Sequence, residues 1–357
     1  METELRGKRV TVTGASGFIG RRLVPALVAA GAEVTVLGRS PAPAALPRGV
    51  RHLRGDLGDP AALGPALAGA AVLCNLAYDL RAGAAANLAG FETLLAAAGR
   101  AGVGRIVHLS SIVVYDAWPG ADCTEAGTMA RPGGGGYRQA KIAMEKRLMA
   151  GPVPVAILQP TIVWGAGSAL WTDGFADALL AGGVELPDPE GLCNGVHVDD
   201  VVQTCLLAAR LGDLGRERFI VSGPAPFAWS ALIEGYAALL GRGRVIRTPA
   251  AEIAARLGPR PVIADDAPPS AAARISALAR RLLGHQRFEA LVRGLKSRLS
   301  RGGDFYPDHH LLEEFCGTGR CHIDHARDRL GYAPAFDLAR GLERTADHLR
   351  TLAARGS

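Results

Sequence analysis

Val10-Thr11-Val12-Thr13-Gly14-Ala15-Ser16-Gly17-Phe18-Ile19-Gly20 runs straight into residues 21–30, where Leu23, Leu27 and Val28 recur at helical spacing. A β-branched run, three glycines and a helix-period segment predict strand, tight turn and helix in direct succession. Glycines in such a turn let backbone approach a pyrophosphate, and the turn aims free helix N–H groups and the positive dipole end at it. With 46 glycines in 357 residues, about one Gly-x-x-Gly-x-x-Gly is expected by chance. The position of Gly14, Gly17 and Gly20 between the first strand and the first helix therefore carries more than their spacing.

Outward from this turn, apolar runs at 33–37, 49–54, 71–76, 105–109 and 153–158 read as strands, and 60–68, 84–101 and 137–149 as helices. Strands alternating with helices at these lengths predict an α/β fold, a Rossmann doubly wound parallel sheet covered on both faces. Residues 1–160 are expected to form this dinucleotide-binding domain. Residues 161–357 supply mainly a smaller, discontinuous substrate domain, with segments from about 195–215 returning to the first. Short strands near 195–198 and 218–221 and helices near 201–211 and 229–240 fit that second unit. A Pro/Asp-rich linker is expected at 259–269 and a helix at 270–300.

Hydrophobic residues make up 48% and charged ones 21%, which excludes a disordered chain, a coiled coil or a collagen-like fibre. No apolar run approaches the roughly 18 residues of a membrane span, and no signal-peptide core precedes the first strand. A soluble, cytoplasmic protein is expected. The +6 charge is uneven: residues 255–301 carry ten Arg/Lys against three Asp/Glu, leaving the rest near neutral. That distribution argues against nucleic acid as a partner. The preferred reading of this basic helical insertion is packing on the second unit with solvated arginines. An anion site for a substrate diphosphate, or contact with a membrane surface, is less favoured. The six cysteines are scattered and read as reduced.

Tyr137 and Lys141 stand four residues apart, on one face of a helix. An ammonium beside a phenol favours the phenolate, so this pair is expected to lower the tyrosine's pKa for proton transfer to or from a carbinol or carbonyl oxygen. Ser110-Ser111 follows the fifth strand, at the carboxyl edge where open α/β sheets hold ligands. At the end of the second strand no carboxylate is available for a ribose 2′-OH; Gly38 is followed by Arg39 and Ser40. An arginine there suits a 2′-phosphate, so NADP is expected over NAD. Cys316, Cys321 and His325 could make a zinc site, but their spacing is irregular and Asp324 reads as a helix N-cap, so no metal is expected. His197 reads as a packing residue between the units. Gly133–Gly136 is either a mobile lid or an entropically costly loop.

These residues resemble the extended short-chain dehydrogenase/reductases, which include nucleotide-sugar epimerases, dehydratases and ketoreductases. The resemblance rests on Thr13 to Gly20, Gly55-Asp56-Leu57, Asn87, Ser110 to Tyr115, Tyr137 to Lys141, Pro160 to Gly165, His197 to Asp200, and the closing stretch Asp324 to Pro334. It implies Ser111 as the catalytic hydroxyl, Tyr137 as the acid/base, and Lys141 as both tuner of Tyr137 and holder of the nicotinamide ribose. It also implies cofactor contacts at Gly14, Ser16, Gly17, Phe18, Ile19, Gly20, Arg39, Ser40, Asp56, Leu57, Ala77, Pro160 and Ile162. The family often carries Arg where Gln159 stands, Asn where Ile162 stands and Asp where Gly38 stands.

The resemblance implies an NAD(P)-dependent interconversion of a secondary alcohol and a ketone on a nucleotide sugar or a glycosyl or cyclitol intermediate. The NADP-like strand end favours a ketoreductase over a redox-neutral epimerase. A dehydratase is disfavoured, because Ile112 and Val113 stand where its acidic pair would be. A non-catalytic NADP sensor of the same fold stays open, and a homodimer is the expected assembly.

Overall fold

The computed structural model describes residues 5–41, 46–260 and 303–355. The expected helix at 270–300, and with it most of the basic insertion, lies outside them.

Seven parallel strands form the central sheet: β1 Arg9–Thr13, β2 Glu33–Gly38, β3 Arg51–Arg54, β4 Val72–Asn75, β5 Arg105–Leu109, β6 Val155–Pro160 and, from much later in the chain, β11 Arg216–Val221. Their order is β11-β6-β5-β4-β1-β2-β3. The chain runs outward from β1 to β3, then returns to start a second run at β4, so strand order reverses between β1 and β4. The carboxyl ends of those two strands therefore border the crevice in which a doubly wound sheet binds its ligand.

Two apolar cores cover the two sheet faces. On one, α1 Gly20–Ala29 and α6 Val198–Arg210 pack through Leu23, Leu27, Val201 and Cys205 against Val10 and Val12. On the other, α2 Pro60–Leu67, α3 Ala84–Arg100 and α4 Gly135–Ala150 bury Leu63, Leu67, Phe91, Leu94, Met144 and Leu148. Asp59 caps α2 by accepting from the N–H of Ala61, and Pro60 follows at the first helical position.

The remaining elements follow β6 in the chain, and one of them, Asp324–Leu330, packs against β11 and α6. They are β7 Ile162–Trp164, α5 Phe175–Ala181, β8 Gly183–Asp188, β9 Leu192–Cys193, β10 Gly195–His197, β12 Phe227–Ala228, α7 Trp229–Leu240, β13 Arg244–Pro249, α8 Ala250–Leu257, α9 His309–Cys316, α10 Asp324–Leu330 and α11 Leu338–Arg355. Trp171, Phe175, Trp229 and Phe315 form their aromatic centre. Asp200 ties the two parts together, accepting from the N–H groups of Ala335 (2.8 Å) and Phe336 (3.2 Å). His197 is buried between Trp164 and Phe336, and burial holds its pKa down at about 4, so it stays neutral and packs. Asp324 corrects an expectation: it is the first residue of α10 rather than its cap, Ile323 takes the cap position with no side-chain bond, and the Asp324 carboxylate sits 3.5 Å from Arg327.

Candidate active site

The glycine turn joins β1 to α1. Gly14 has φ +74°, and a Cβ there would lie 2.7 Å from the Leu76 carbonyl carbon and 2.8 Å from the Ala77 nitrogen. The first position of the turn thus needs glycine twice over, for its left-handed backbone and for its contact with the loop after β4. At Gly20 a Cβ would lie 2.2 Å from the Gly14 oxygen, so the helix can start this close only on glycine. Ile19 offers α1 no side-chain cap; the N–H groups of Arg21, Arg22 and Leu23 turn back to the Gly17 and Ile19 carbonyls, so what this end offers an anionic ligand is the positive end of the helix dipole.

Ser111, Tyr137 and Lys141 converge at the carboxyl edge of β5. Ser111 caps the 3-10 turn Ile112–Val114 by accepting from the Val113 N–H at 3.4 Å, and its hydroxyl lies close enough to the Tyr137 phenol to favour the phenolate. Its neighbour Ser110 points the other way and donates to Glu145. Gly133, Gly134 and Gly135 all adopt positive φ ahead of α4. Two side chains tie that loop down: Arg138 and Gln139 both donate to the Gly133 carbonyl. Tyr137 then opens the helix with 38% of its surface exposed, while its hydroxyl end is dehydrated. Lys141, one turn on, is buried, donates to the Leu109 carbonyl at 2.7 Å and lies 5.8 Å from the Tyr137 ring and 5.0 Å from Tyr78.

Burial pushes Tyr137 up to about 12, against the Ser111 hydrogen bond, and Tyr78 adds to the rise. The expected lowering by Lys141 is not found. Burial brings Lys141 itself down to about 8, partly offset by Glu145, and its ammonium is turned to the Leu109 carbonyl. Desolvation outweighs the neighbouring charge, so the site holds a protonated phenol beside an ammonium that titrates just above neutrality.

Arg39 projects from the end of β2, where Asp79 binds it at 2.8 Å. Asp79 also takes Arg81 at 3.0 Å. Burial works to raise the Asp79 pKa, but the bonds from Arg81 and Arg39 win and hold it at about 2. Arg54 donates to the Arg39 carbonyl. Two arginines, Arg39 and Arg81, thus share the Asp79 carboxylate, and Arg54 braces the Arg39 backbone.

Residues 14–164 match a family model described as NAD(P)H-binding. Over 228 residues the chain is 32% identical to a 4-hydroxy-2-methyl-3-oxo-4-farnesyl-3,4-dihydroquinoline-1-oxide ketoreductase of Stigmatella aurantiaca, covering 60% of this chain and 68% of that one. The chain belongs to the extended short-chain dehydrogenase/reductase family. A second member, a 2-alkyl-3-oxoalkanoate reductase of Stenotrophomonas maltophilia, is 27% identical over 94% of this chain and 98% of its own length. Among solved structures, MoeE5 in complex with UDP-glucuronic acid and NAD superposes with a TM-score of 0.66 at 22% identity, covering 96% of this chain and 99% of that one.

As a member of this family the chain is an NAD(P)-dependent enzyme, and its glycine turn fits a dinucleotide: the backbone is pressed close by Gly14 and Gly20 and the helix end is uncapped. The other expected contacts divide by position. Ser16, Gly17, Arg39, Ser40 and Asp56 are exposed, and Phe18, Ile19, Leu57 and Ala77 are half-buried. Phe18 lies under the Arg22 guanidinium, Leu57 packs on the second core, and Ala77 adjoins Gly14. Pro160 and Ile162 are buried where β6 hands over to β7. The residues weighed as zinc ligands are drawn apart: Cys321 adjoins Cys123, and His325 stacks on Phe219 and pairs with Glu217 at 3.2 Å.

Four site residues escaped the sequence reading. Tyr78 meets Tyr137 edge-on at 4.9 Å. Asp79 holds Arg39. Asn87, noted only as part of a motif, accepts from the Asp79 N–H and donates to the Asp79 and Gly83 carbonyls, which fixes the loop carrying both. Glu145 lies one turn beyond Lys141 and is fully buried; its place four residues on, the spacing that joined Tyr137 to Lys141, was the available signal.

Proposed function

We propose that the protein reduces a ketone to a secondary alcohol with NADPH. The observation that carries this reading is the convergence of Ser111, Tyr137 and Lys141 at the carboxyl edge of β5, with the Lys141 ammonium 5.8 Å from the Tyr137 ring; burial keeps the Tyr137 proton on the phenol, from which it can pass to a carbonyl oxygen. The glycine turn at Gly14, Gly17 and Gly20 would hold the dinucleotide, which when bound supplies the hydride. Ser111 positions the carbonyl oxygen and Tyr137 protonates it as the alkoxide develops. Lys141, charged below pH of about 8, stabilises the phenolate left behind. Arg39 at the end of β2 supports NADP over NAD: it shares the single Asp79 carboxylate with Arg81, so the two guanidiniums exceed the one carboxylate they bind.

For the substrate, the expected nucleotide sugar finds support in a fold shared with an enzyme solved with UDP-glucuronic acid. A second reading, a ketone bearing a long apolar chain, is favoured by the names of the two reductases reported above, one named for a farnesyl-bearing dihydroquinoline oxide and one for 2-alkyl-3-oxoalkanoates. Leu80, 82% exposed two residues after Tyr78, presents apolar surface beside the site and fits this second reading.

Absorbance at 340 nm tests both. Net NADPH consumption with a 2-alkyl-3-oxoalkanoate or a keto nucleotide sugar, yielding the alcohol, is expected and identifies the class. Conversion of a nucleotide sugar to its epimer with no net NADPH loss would replace reduction by epimerisation. Nucleotide binding without turnover on either panel would leave a sensor.

A further inference from the structure

Cys123 lies on the segment that leaves the site after Tyr115, and Cys321 lies just before α10, 198 positions later in the chain. Their backbones meet in a parallel bridge: the Cys123 N–H donates to the Arg320 carbonyl at 2.8 Å and the His322 N–H to the Cys123 carbonyl at 3.0 Å. Register partners in such a pair lie about 4.8 Å apart, inside the roughly 4.4–6.8 Å that a disulfide spans between Cα atoms. Their side chains project to the same face. The Cys123 thiol donates to the Ala121 carbonyl at 3.6 Å, and the two sulfurs lie close enough for each thiol to shift the titration of the other.

The juxtaposition is held from both sides. Asn194 donates to the Gly319 carbonyl at 2.8 Å and accepts from the Cys321 N–H at 3.0 Å. Asp122 accepts from the Arg320 N–H and pairs with His322 at 3.1 Å. At Gly319 a Cβ would lie 2.1 Å from the Ala121 oxygen, so glycine is what lets the segments approach this closely.

We propose that Cys123 and Cys321 form an oxidation site that closes to a disulfide. The pair is asymmetric. The nearness of Cys321 holds the Cys123 thiol below its usual range, and the nearness of Cys123, with burial, pushes Cys321 up. Cys123 is fully buried, whereas Cys321 is half-buried and lines a 170 Å³ cavity with Asn194, Arg320 and His322. Access rather than acidity selects the first attack: a small disulfide reaches Cys321 through this cavity, the Cys321 thiol gives its proton to solvent as its sulfur attacks, one small thiol leaves and a mixed disulfide forms. The Cys123 thiolate then attacks the Cys321 sulfur and expels the second small thiol. Two protein thiols are oxidised, and the reagent disulfide is reduced to two thiols. No backbone travel is required, because the partners already stand in register.

The bridge would staple the 116–131 segment to the carboxyl-terminal part of the chain. Asp116 of that segment accepts from the N–H groups of Ala130 and Arg131 and binds Arg138, the residue after Tyr137. The new link closes a long loop, which strengthens the folded state.

The test treats the full-length protein with oxidised glutathione at pH 8, blocks the remaining thiols and maps tryptic peptides. Trypsin cuts after Arg320 and so separates Cys316 from Cys321. A single Cys123–Cys321 crosslink is expected, reversed by dithiothreitol and accompanied by a rise in thermal midpoint of about 5 °C or more. Cys321→Ser should lose both the crosslink and the rise, and Cys123→Ser should do the same while leaving a glutathione adduct on Cys321. Six free thiols after treatment, a glutathione adduct on wild-type Cys321 without closure, or a crosslink through Cys316 would each overturn the proposal.

Discussion

Asp79 binds Arg39 at 2.8 Å and so closes the loop after β4 onto the end of β2. The arginine best placed for a 2′-phosphate is therefore already partnered, and the phosphate must compete for it. Asp79→Asn keeps the hydrogen-bond acceptor for the Arg81 N–H but removes the competing charge. Its KM for NADPH should fall several-fold with that for NADH unchanged. Arg39→Ala should raise the NADPH KM by about tenfold while altering the NADH value much less. Steady-state KM values for both nucleotides decide; equal changes for the two would remove Arg39 from the 2′ position.

If the proposed reduction runs through the Tyr137 phenolate, Lys141 should set its alkaline limit. It carries its charge below about 8, so kcat should be flat at neutral pH and decline as pH rises through 8, while Tyr137, up at about 12, keeps its proton throughout. A kcat profile from pH 6 to 10 reports the midpoint. A plateau extending to pH 10 would mean that the ammonium is not required.

The same lysine is a stability cost. Its folded pKa is depressed from 10.5 to about 8, which corresponds to about 3 kcal/mol against folding. The sign follows from proton binding: the cost is full below pH 8, where both states are protonated, and is relieved between pH 8 and 10.5, where the folded state has released the proton and the unfolded chain has not. Lys141→Met should lose activity yet gain about 2 kcal/mol at pH 7, after about 1 kcal/mol for the lost bond to Leu109. The gain should shrink toward pH 10.5. Urea unfolding at the two pH values measures it; a less stable variant at pH 7 would show that the lysine is a structural asset.

The strand-and-helix alternation of the first 160 residues could be read in advance because the strands there, apart from the polar β3 (Arg-His-Leu-Arg), are four to six residues of largely β-branched or apolar character, and each helix buries apolar residues on one side. Beyond β6 the pattern fails for a physical reason. β8 and β13 pair over six residues each, yet they lie about sixty positions apart and contain prolines at Pro187 and Pro249. Only tertiary packing makes them strands. Within the site, Tyr137, Lys141 and Ser111 were legible as chemical types at fixed spacing. Tyr78 and Asp79 were not, because they reach Tyr137 and Arg39 only through the strand order that sets β4 beside β1 and β5. The direction of the Tyr137 shift was misread for a related reason: spacing shows the neighbouring charge, while desolvation depends on what the fold lays over it.

Glu145 shows what such a hidden residue carries. Fully buried behind Lys141, it accepts from Ser110 at 2.5 Å, from Gln159 at 3.0 Å and from Arg218 at 2.7 Å. Arg218 on β11 thus brings a positive charge to the β6 region where Gln159 stands in place of the arginine common in the family. Glu145→Leu strands all three donors and should destabilise the fold by about 3–5 kcal/mol, read as a lowered urea midpoint. A loss under about 1 kcal/mol would show the network to be loosely held.

Tyr137→Phe bears most directly on the proposed reaction. The substitution removes only the hydroxyl bonded by Ser111 and leaves the glycine turn, Lys141 and Arg39 in place. With an established ketone substrate, NADPH oxidation should fall by about a thousandfold or more while the dissociation constant for NADPH stays within about twofold of the original. Turnover surviving at more than a tenth of its original rate would contradict Tyr137 as the proton donor.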